Sequence, residues 1–125
     1  MIPFDDGLVQ ALRQATQEDD VLEFVTLTQF GLDFGWGAGN LIQCHFRASI
    51  TVDGESACWQ GRPDETPIWK NIGRRILNFE LVDAFSLQVD LEEGARVVVH
   101  SEDGPYESVF VLLPIVDGKH GMRVY

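Results

Sequence analysis

The stretch Ser49-Ile-Thr-Val-Asp-Gly-Glu-Ser-Ala-Cys-Trp59 is the clearest structural signal in the chain. Apolar and polar residues alternate on both sides of Asp53-Gly54, which is the period of a half-buried β-strand. Both central positions of a two-residue hairpin turn favour positive φ, and Asp-Gly satisfies that requirement. The stretch therefore predicts a β-hairpin and, with it, an antiparallel sheet.

The same alternation continues from this hairpin towards both ends of the chain. It predicts strands at 21–26, 30–36, 41–46, 75–82, 85–91, 95–100 and 107–115, and an edge strand at Met122–Tyr125. Only two segments depart from it. Apolar residues recur at helical spacing within Phe4–Thr16, and a short helical turn is predicted at Ile68–Ile72, after the proline-bracketed loop Gly61–Pro67.

The two strand series resemble each other. Val21–His45 overlays on Ile76–His100 at one constant offset and without a gap. The identical residues that it matches include Leu22 with Leu77, Phe24 with Phe79, Gly39 with Gly94 and His45 with His100. After an insertion, Val52-Asp-Gly aligns with Val116-Asp-Gly. Two unrelated amphipathic hairpins would share the alternation, but the matched glycines and histidines favour an internal duplication.

We therefore predict a single α+β domain, residues 1–125, that is mostly β. An N-terminal helix precedes two similar antiparallel meanders, 21–59 and 76–125, which are related by a pseudo-two-fold axis and separated by a short helix at the midpoint. Whether the meanders form one sheet or two stays open at this point.

Charge narrows the range of partners. Nine Lys and Arg face 20 Asp and Glu, so the net charge is −11. Binding to nucleic acid requires a basic face, so we predict that this acidic chain does not bind nucleic acid. An acidic protein is steered towards basic surfaces, although solubility alone also explains such a charge. We predict that four carboxylates at turns form an acidic rim for a basic protein partner: Glu92, Glu93, Glu102 and Asp103.

Aromatic residues beside charged loops are typical anchors of protein interfaces. Trp59 follows the hairpin and Trp69 lies in the midpoint helix, so both are candidate anchors, with core packing as the alternative. His45 and His100 occupy matching positions and define an alternative pocket between the two meanders. A structural metal site needs about four ligands, and the sequence lacks the spacing for them. We found no catalytic motif, and we predict neither enzymatic activity nor a cofactor.

Three further features concern location and assembly. The longest apolar run is far shorter than the roughly 20 residues of a membrane helix, and the N-terminus lacks the features of a signal peptide. We predict a cytoplasmic protein in which Cys44 and Cys58 are buried thiols, with one disulfide as the alternative. A homodimer through Met122–Tyr125 is a third functional hypothesis.

Three segments carry a resemblance to known proteins: Ile72-Gly-Arg-Arg-Ile-Leu-Asn-Phe-Glu-Leu-Val82, Ser86–Val99 and Pro105-Tyr-Glu-Ser108. Together they resemble small bacterial proteins of uncharacterised function, and the resemblance covers roughly residues 68–114. Some of those proteins are encoded near toxin genes and are thought to be immunity proteins. The resemblance implies a protein-binding or inhibitory role. Our leading hypothesis is thus an intracellular protein-binding domain, and the alternative is a small-molecule-binding or enzymatic domain.

Overall fold

A computed structural model describes residues 3–17, 19–28, 31–37, 39–59, 67–101, 108–114 and 120–125. Within these ranges one α-helix precedes two five-stranded antiparallel sheets, so the predicted mostly-β architecture with an N-terminal helix is confirmed. The elements are α1 (Asp6–Ala15), β1 (Leu22–Leu27), β2 (Leu32–Trp36), β3 (Asn40–Cys44), β4 (Arg47–Val52), β5 (Glu55–Trp59), a 3₁₀ linker helix (Pro67–Asn71), β6 (Ile76–Asp83), β7 (Ser86–Leu91), a 3₁₀ turn (Glu92–Gly94), β8 (Arg96–His100), β9 (Val109–Pro114) and β10 (His120–Val124).

Helix α1 begins at a side-chain cap. The Asp5 carboxylate accepts a hydrogen bond from the Leu8 backbone N–H at 2.8 Å, which satisfies one of the free donors of the first turn. Leu8 and Leu12 are buried, as their helical spacing predicts. No helix in the described part of the chain combines the length and the hydrophobicity needed to cross a lipid bilayer.

The two sheets do not coincide with the two halves of the sequence. Sheet 1 has the order β1-β2-β3-β9-β10, and sheet 2 has the order β6-β7-β8-β4-β5. Each sheet thus joins a three-stranded meander from one half to a hairpin from the other half. Each predicted meander, 21–59 and 76–125, is therefore divided between the two sheets. Apolar residues alternate without interruption from Ile42 to Val52, and this pattern gives no sign of a break. The chain nevertheless bends at His45 and Phe46 and enters the opposite sheet.

The two halves meet reciprocally. The Leu22 N–H donates to the Arg74 carbonyl at 2.9 Å, and the Ile76 N–H donates to the Asp20 carbonyl at 2.6 Å. An isolated antiparallel bridge joins Val21 to Arg75 between these bonds. In these reciprocal bonds Leu22 occupies the position that Ile76, rather than Leu77, occupies in the other half.

The register corrects the sequence overlay in the first strand of each half. Val25 pairs with Phe34 on β2, and Phe79 pairs with Val89 on β7. The overlay matches Phe34 with Val89, so Val25 rather than Phe24 is the counterpart of Phe79. Both first strands contain a register shift at the matching place, after Leu22 and after Ile76, and β6 contains a second shift between Leu81 and Asp83, which accounts for the one-residue difference from the overlay. Phe79 is consequently buried, whereas Phe24 lies 42% exposed on the outer face.

The second hairpins are also displaced from the overlay. Ile50 pairs with Val97 and Val111 pairs with Ile42, which makes Ile50 and Val111 counterparts. The overlay aligns Val52-Asp-Gly with Val116-Asp-Gly and would instead match Ile50 with Pro114. The second of these turns, within 115–119, lies outside the described residues. Duplication of the sequence itself stays a prediction.

One core lies between the two sheets. The Trp36 and Phe79 rings, from different sheets, have centroids 5.6 Å apart. Trp59 pairs with Ala48 at one edge, and Tyr125 exchanges two backbone hydrogen bonds with Val109 at the corresponding edge. Each large side chain buried in this core contributes roughly 1.5–3 kcal/mol to the free energy of unfolding.

The linker helix lies where the sequence predicts a helical turn, and it packs against β1, β4 and β5. Ile68 and Asn71 are buried. The chain then turns at Gly73, whose φ of 92° is a conformation that suits glycine and whose N–H donates to the Leu22 carbonyl at 2.8 Å.

Candidate protein-interaction surface

Trp69 is exposed because of the geometry of the linker helix. A 3₁₀ helix has three residues per turn, so residues three apart share a face. Ile68 and Asn71 form the buried face, which leaves Trp69 and Ile72 on another face in contact with solvent. Trp69 is 61% exposed and Ile72 is 48% exposed. An exposed tryptophan beside an exposed isoleucine is an apolar feature that the fold itself does not use.

A carboxylate is held close to this tryptophan by Lys70. The Lys70 Nζ lies 3.2 Å from Glu55 Oε2 and 5.9 Å from the centroid of the Trp69 ring. The ammonium therefore joins the aromatic ring to the β4–β5 hairpin through a cation–π contact and an ion pair. Glu55 is thereby positioned at the margin of the apolar feature.

Arg74 connects two acidic turns. Its Nη2 lies 2.7 Å from Asp53 Oδ1 in the β4–β5 turn and 3.3 Å from Glu93 Oε2 in the β7–β8 turn. The hydrogen bond with Asp53, followed by the attraction of Asp53 and of Glu93, raises the pKa of the guanidinium above its ordinary value. One cation thus faces two carboxylates, so the cluster keeps a net negative charge.

Arg75 organises the adjacent carboxylates. Its Nη2 and Nε lie 2.9 Å and 3.1 Å from Asp20 Oδ2, and its backbone N–H donates to Glu92 Oε1 at 2.6 Å. Glu93, which follows Glu92 in the β7–β8 turn, has a φ of 62° and is exposed. The structure therefore brings Glu92 and Glu93 to the same end of sheet 2 as the turn that bears Asp53.

We call this region the Trp69 surface. It consists of two exposed apolar side chains and eight charged side chains: Trp69, Ile72, Asp20, Asp53, Glu55, Glu92, Glu93, Lys70, Arg74 and Arg75. Five carboxylates face three cations, which leaves an excess of two negative charges around the apolar centre. The ion pairs hold these carboxylates in defined positions, so less side-chain entropy is lost when a partner binds.

The other predicted anchor needs a correction. Trp59 is 2% exposed and belongs to the core, because its pairing with Ala48 directs its side chain between the sheets. It is therefore unavailable as a surface anchor. Glu102 and Asp103 lie outside the described residues.

The two histidines contact different groups among the described residues, and a pocket that they share stays a prediction. The His45 ring packs against Phe110 of sheet 1, with 5.1 Å between the ring centroids. The His100 ring lies between two hydroxyls of sheet 2, with its Nε2 3.1 Å from Ser49 Oγ and its Nδ1 3.0 Å from Ser86 Oγ. His100 follows the core residue Val99 on β8, so strand alternation places its ring on the outer face of sheet 2, and His45 is exposed at the bend between β3 and β4.

Burial lowers the pKa of His100, and the nearby Arg47 lowers it further. A neutral imidazole has one N–H donor and one acceptor, so one serine accepts a hydrogen bond and the other donates one. The described residues contain no group of three or more His, Cys, Asp or Glu side chains arranged to hold a metal ion.

Cys44 and Cys58 are thiols that form no disulfide with each other. Cys44 is buried as predicted, and desolvation raises its pKa to about 11. Cys58 is exposed, which corrects the prediction that both thiols are buried. The exposed position follows from β5, where Trp59 turns into the core and its neighbour turns outwards.

Comparison of the chain with protein-family models, with curated proteins and with solved structures finds no match.

Proposed function

We propose that this chain is an intracellular, cytoplasmic protein-binding domain whose Trp69 surface binds a basic partner protein. The observation that carries the proposal is the 61% exposure of Trp69 among carboxylates fixed by Lys70 and Arg74. Large exposed apolar side chains are costly in water, and tryptophan is enriched among the residues that dominate binding energy.

The net negative charge of the chain and the aromatic ring of Trp69 have different roles in binding the partner. The net charge of −11 raises the rate of encounter with a cationic surface. Burial of the Trp69 ring slows dissociation once the complex has formed. Glu55 and Glu93 at the margin then pair with lysine or arginine side chains of the partner, and the partner's position is fixed by both kinds of contact.

The resemblance to toxin-associated bacterial proteins supports a more specific form of the proposal. An immunity or inhibitor protein with an acidic surface neutralises its target by covering a basic active site. Steric cover and charge pairing are sufficient for this role, and it requires no catalytic group in this chain.

The strand order shared by the two halves and the reciprocal bonds of Leu22 and Ile76 support a second proposal, that the chain arose by internal duplication.

The test is selective capture by the full-length protein. Wild type, Trp69→Ala and Val82→Ala are immobilised, incubated with lysate of the source organism and washed at low and then high salt. Val82 is a suitable control because it is 57% exposed and lies at the far end of β6 from the linker helix. Bound proteins are identified by mass spectrometry, and the main one is then produced and titrated as a pure protein.

We expect one basic protein in near-stoichiometric amount on wild type and on Val82→Ala, released by high salt and absent from Trp69→Ala. Capture that is equal on all three columns, or capture of no basic protein, contradicts the proposal. If the captured protein is a toxin or an enzyme, added wild type is expected to inhibit it and Trp69→Ala is not.

A further inference from the structure

One side of strand β1 directs backbone groups towards the edge of sheet 1. The Thr28 N–H donates to the Gly31 carbonyl at 2.9 Å, which makes these two residues a hydrogen-bonded pair of the β1–β2 ladder. Bonded and non-bonded pairs alternate in an antiparallel ladder, so Thr26 and Phe24 are bonded to β2. The N–H and C=O groups of Val25 and Leu27 therefore point away from β2, towards that edge.

The corresponding edge in the other half is covered. Phe79 is the counterpart of Val25, and its outward carbonyl accepts a hydrogen bond from Arg13 Nη2 at 2.9 Å. Arg13 Nε also donates to Asn78 Oδ1 at 3.2 Å, and α1 packs along β6. A ten-residue helix with an arginine in its last turn thus protects the edge of sheet 2.

At the edge of β1, the Leu22 N–H and C=O bond to Arg74 and Gly73, but in the described part of the chain the edge beyond Leu22 lacks such a cap. The linker helix has five residues, compared with ten in α1, and it contacts β1 without bonding to the outward groups. Among the described residues, none hydrogen-bonds to the outward N–H or C=O of Val25 or Leu27. Proteins usually protect such an edge, because it is a template for another strand. Phe24 and Leu27, 42% and 38% exposed, add apolar surface to it.

We infer that β1 binds an extended, basic segment of the partner protein as a sixth strand of sheet 1. This inference rests on the proposed function and specifies how the partner binds. Main-chain hydrogen bonds to Val25 and Leu27 supply affinity, as in other complexes formed by strand addition. The linker helix that carries Trp69 packs against β1, so the edge of β1 and the Trp69 surface are neighbours.

Charge favours a basic segment over a second copy of this chain. Two copies, each with a net charge of −11, repel each other at close approach. Glu23 on β1 is exposed, and Asp19 just before the strand is also exposed. Lysines of such a segment match these carboxylates in charge, and its apolar residues match the exposed Phe24.

The test measures amide exchange of the isotopically labelled full-length protein by NMR. The probe is a blocked peptide of about eight alternating lysine and valine residues, which is long enough to span β1. The control peptide has the same sequence with N-methyl groups along its pairing edge, so its charge is unchanged and it cannot form the ladder. Exchange rates are compared with and without about 1 mM of each peptide, a concentration that detects weak binding.

We expect the probe to slow exchange at Val25 and Leu27 about tenfold or more, with little change at Thr26, which is already bonded to β2. The N-methylated peptide is expected to leave all of these rates unchanged. Absence of binding by the probe overturns the inference, and so does binding that leaves Val25 and Leu27 unprotected. Neither result affects the Trp69-dependent capture, so failure of the inference is distinguishable from failure of the proposed function.

A variant adds an independent readout. Val25→Pro removes an outward N–H that has no role in the β1–β2 ladder, and proline is tolerated on edge strands in that orientation. We expect a folded protein by its NMR spectrum and about a tenfold weaker affinity for the probe. Unchanged affinity in the folded variant overturns the inference. If the variant does not fold, the exchange rates of wild type decide.

Discussion

Replacement of Phe24 or Phe79 by alanine tests whether the strand register of the structure or the register implied by the sequence overlay is correct. The overlay treats Phe24 and Phe79 as equivalent, whereas the structure exposes the first and buries the second completely. Phe79→Ala opens a cavity beside Trp36 and is expected to lower the free energy of unfolding by about 3–5 kcal/mol. The Phe24 side chain covers Gly35 but is itself 42% exposed. We therefore expect Phe24→Ala to lower the free energy of unfolding by only about 1–1.5 kcal/mol.

Urea unfolding followed by far-ultraviolet circular dichroism measures both values, and it avoids the change in tryptophan fluorescence that loss of Phe79 next to Trp36 would cause. For a domain of this size, 1 kcal/mol corresponds to about 3–5 °C in Tm. Phe79→Ala is therefore expected to lower Tm by roughly 10–20 °C, and Phe24→Ala by about 3–7 °C. Equal destabilisation by the two substitutions would refute the register described here.

Three further predictions concern thiols, pH and a close backbone approach. In the native protein a thiol reagent is expected to modify Cys58 alone, because burial raises the pKa of Cys44 to about 11; a mass spectrum showing both thiols modified would contradict this. Because burial lowers the pKa of His100, the unfolded chain binds more protons below its pKa of about 6.5, and stability is expected to fall as pH decreases from there towards the folded pKa. His100→Gln should flatten that slope in urea titrations at several pH values, and an unchanged slope would be inconsistent with the assignment. Gly35→Ala would place a Cβ 2.7 Å from the Asn40 carbonyl oxygen, so we expect a loss of about 1–3 kcal/mol in thermal unfolding, and a stability equal to wild type would argue against the close contact.

Local structure followed from local chemistry in this chain. Asp53-Gly54 predicts its hairpin because both residues adopt positive φ, 51° and 80° in the structure. The spacing of Leu8 and Leu12 predicts α1 because amphipathicity depends on residues a few positions apart. Such signals lie within one element, so they are readable without knowledge of the fold.

Strand partners and register did not follow from the sequence. Alternation identifies the buried face of a strand but carries no information about which strand lies beside it, so the exchange of hairpins between halves was not predictable. The register shift after Leu22 placed Phe24 outside the core, and a second shift in β6, between Leu81 and Asp83, offset the two halves by one residue.

Three residues of the Trp69 surface were singled out in the sequence. Trp69 was a candidate anchor with core packing as the alternative, and Glu92 and Glu93 were expected at a turn; the structure exposes Trp69 and places the two carboxylates beside Arg74 and Arg75. The bridging roles of Lys70 and Arg74 were not predicted, because their carboxylate partners lie 15 to 21 residues away in the sequence. Contacts of that kind depend on the tertiary fold.

The most direct test of the account is the binding kinetics of the purified partner with wild type, Trp69→Ala and Val82→Ala over a range of salt concentrations. For wild type and Val82→Ala we expect an association rate that falls steeply with salt. For Trp69→Ala we expect at least tenfold weaker affinity, about 1.4 kcal/mol, mainly through faster dissociation. An affinity that Trp69→Ala leaves unchanged, or an association rate indifferent to salt, would contradict the claim that this acidic, tryptophan-centred surface binds a basic protein.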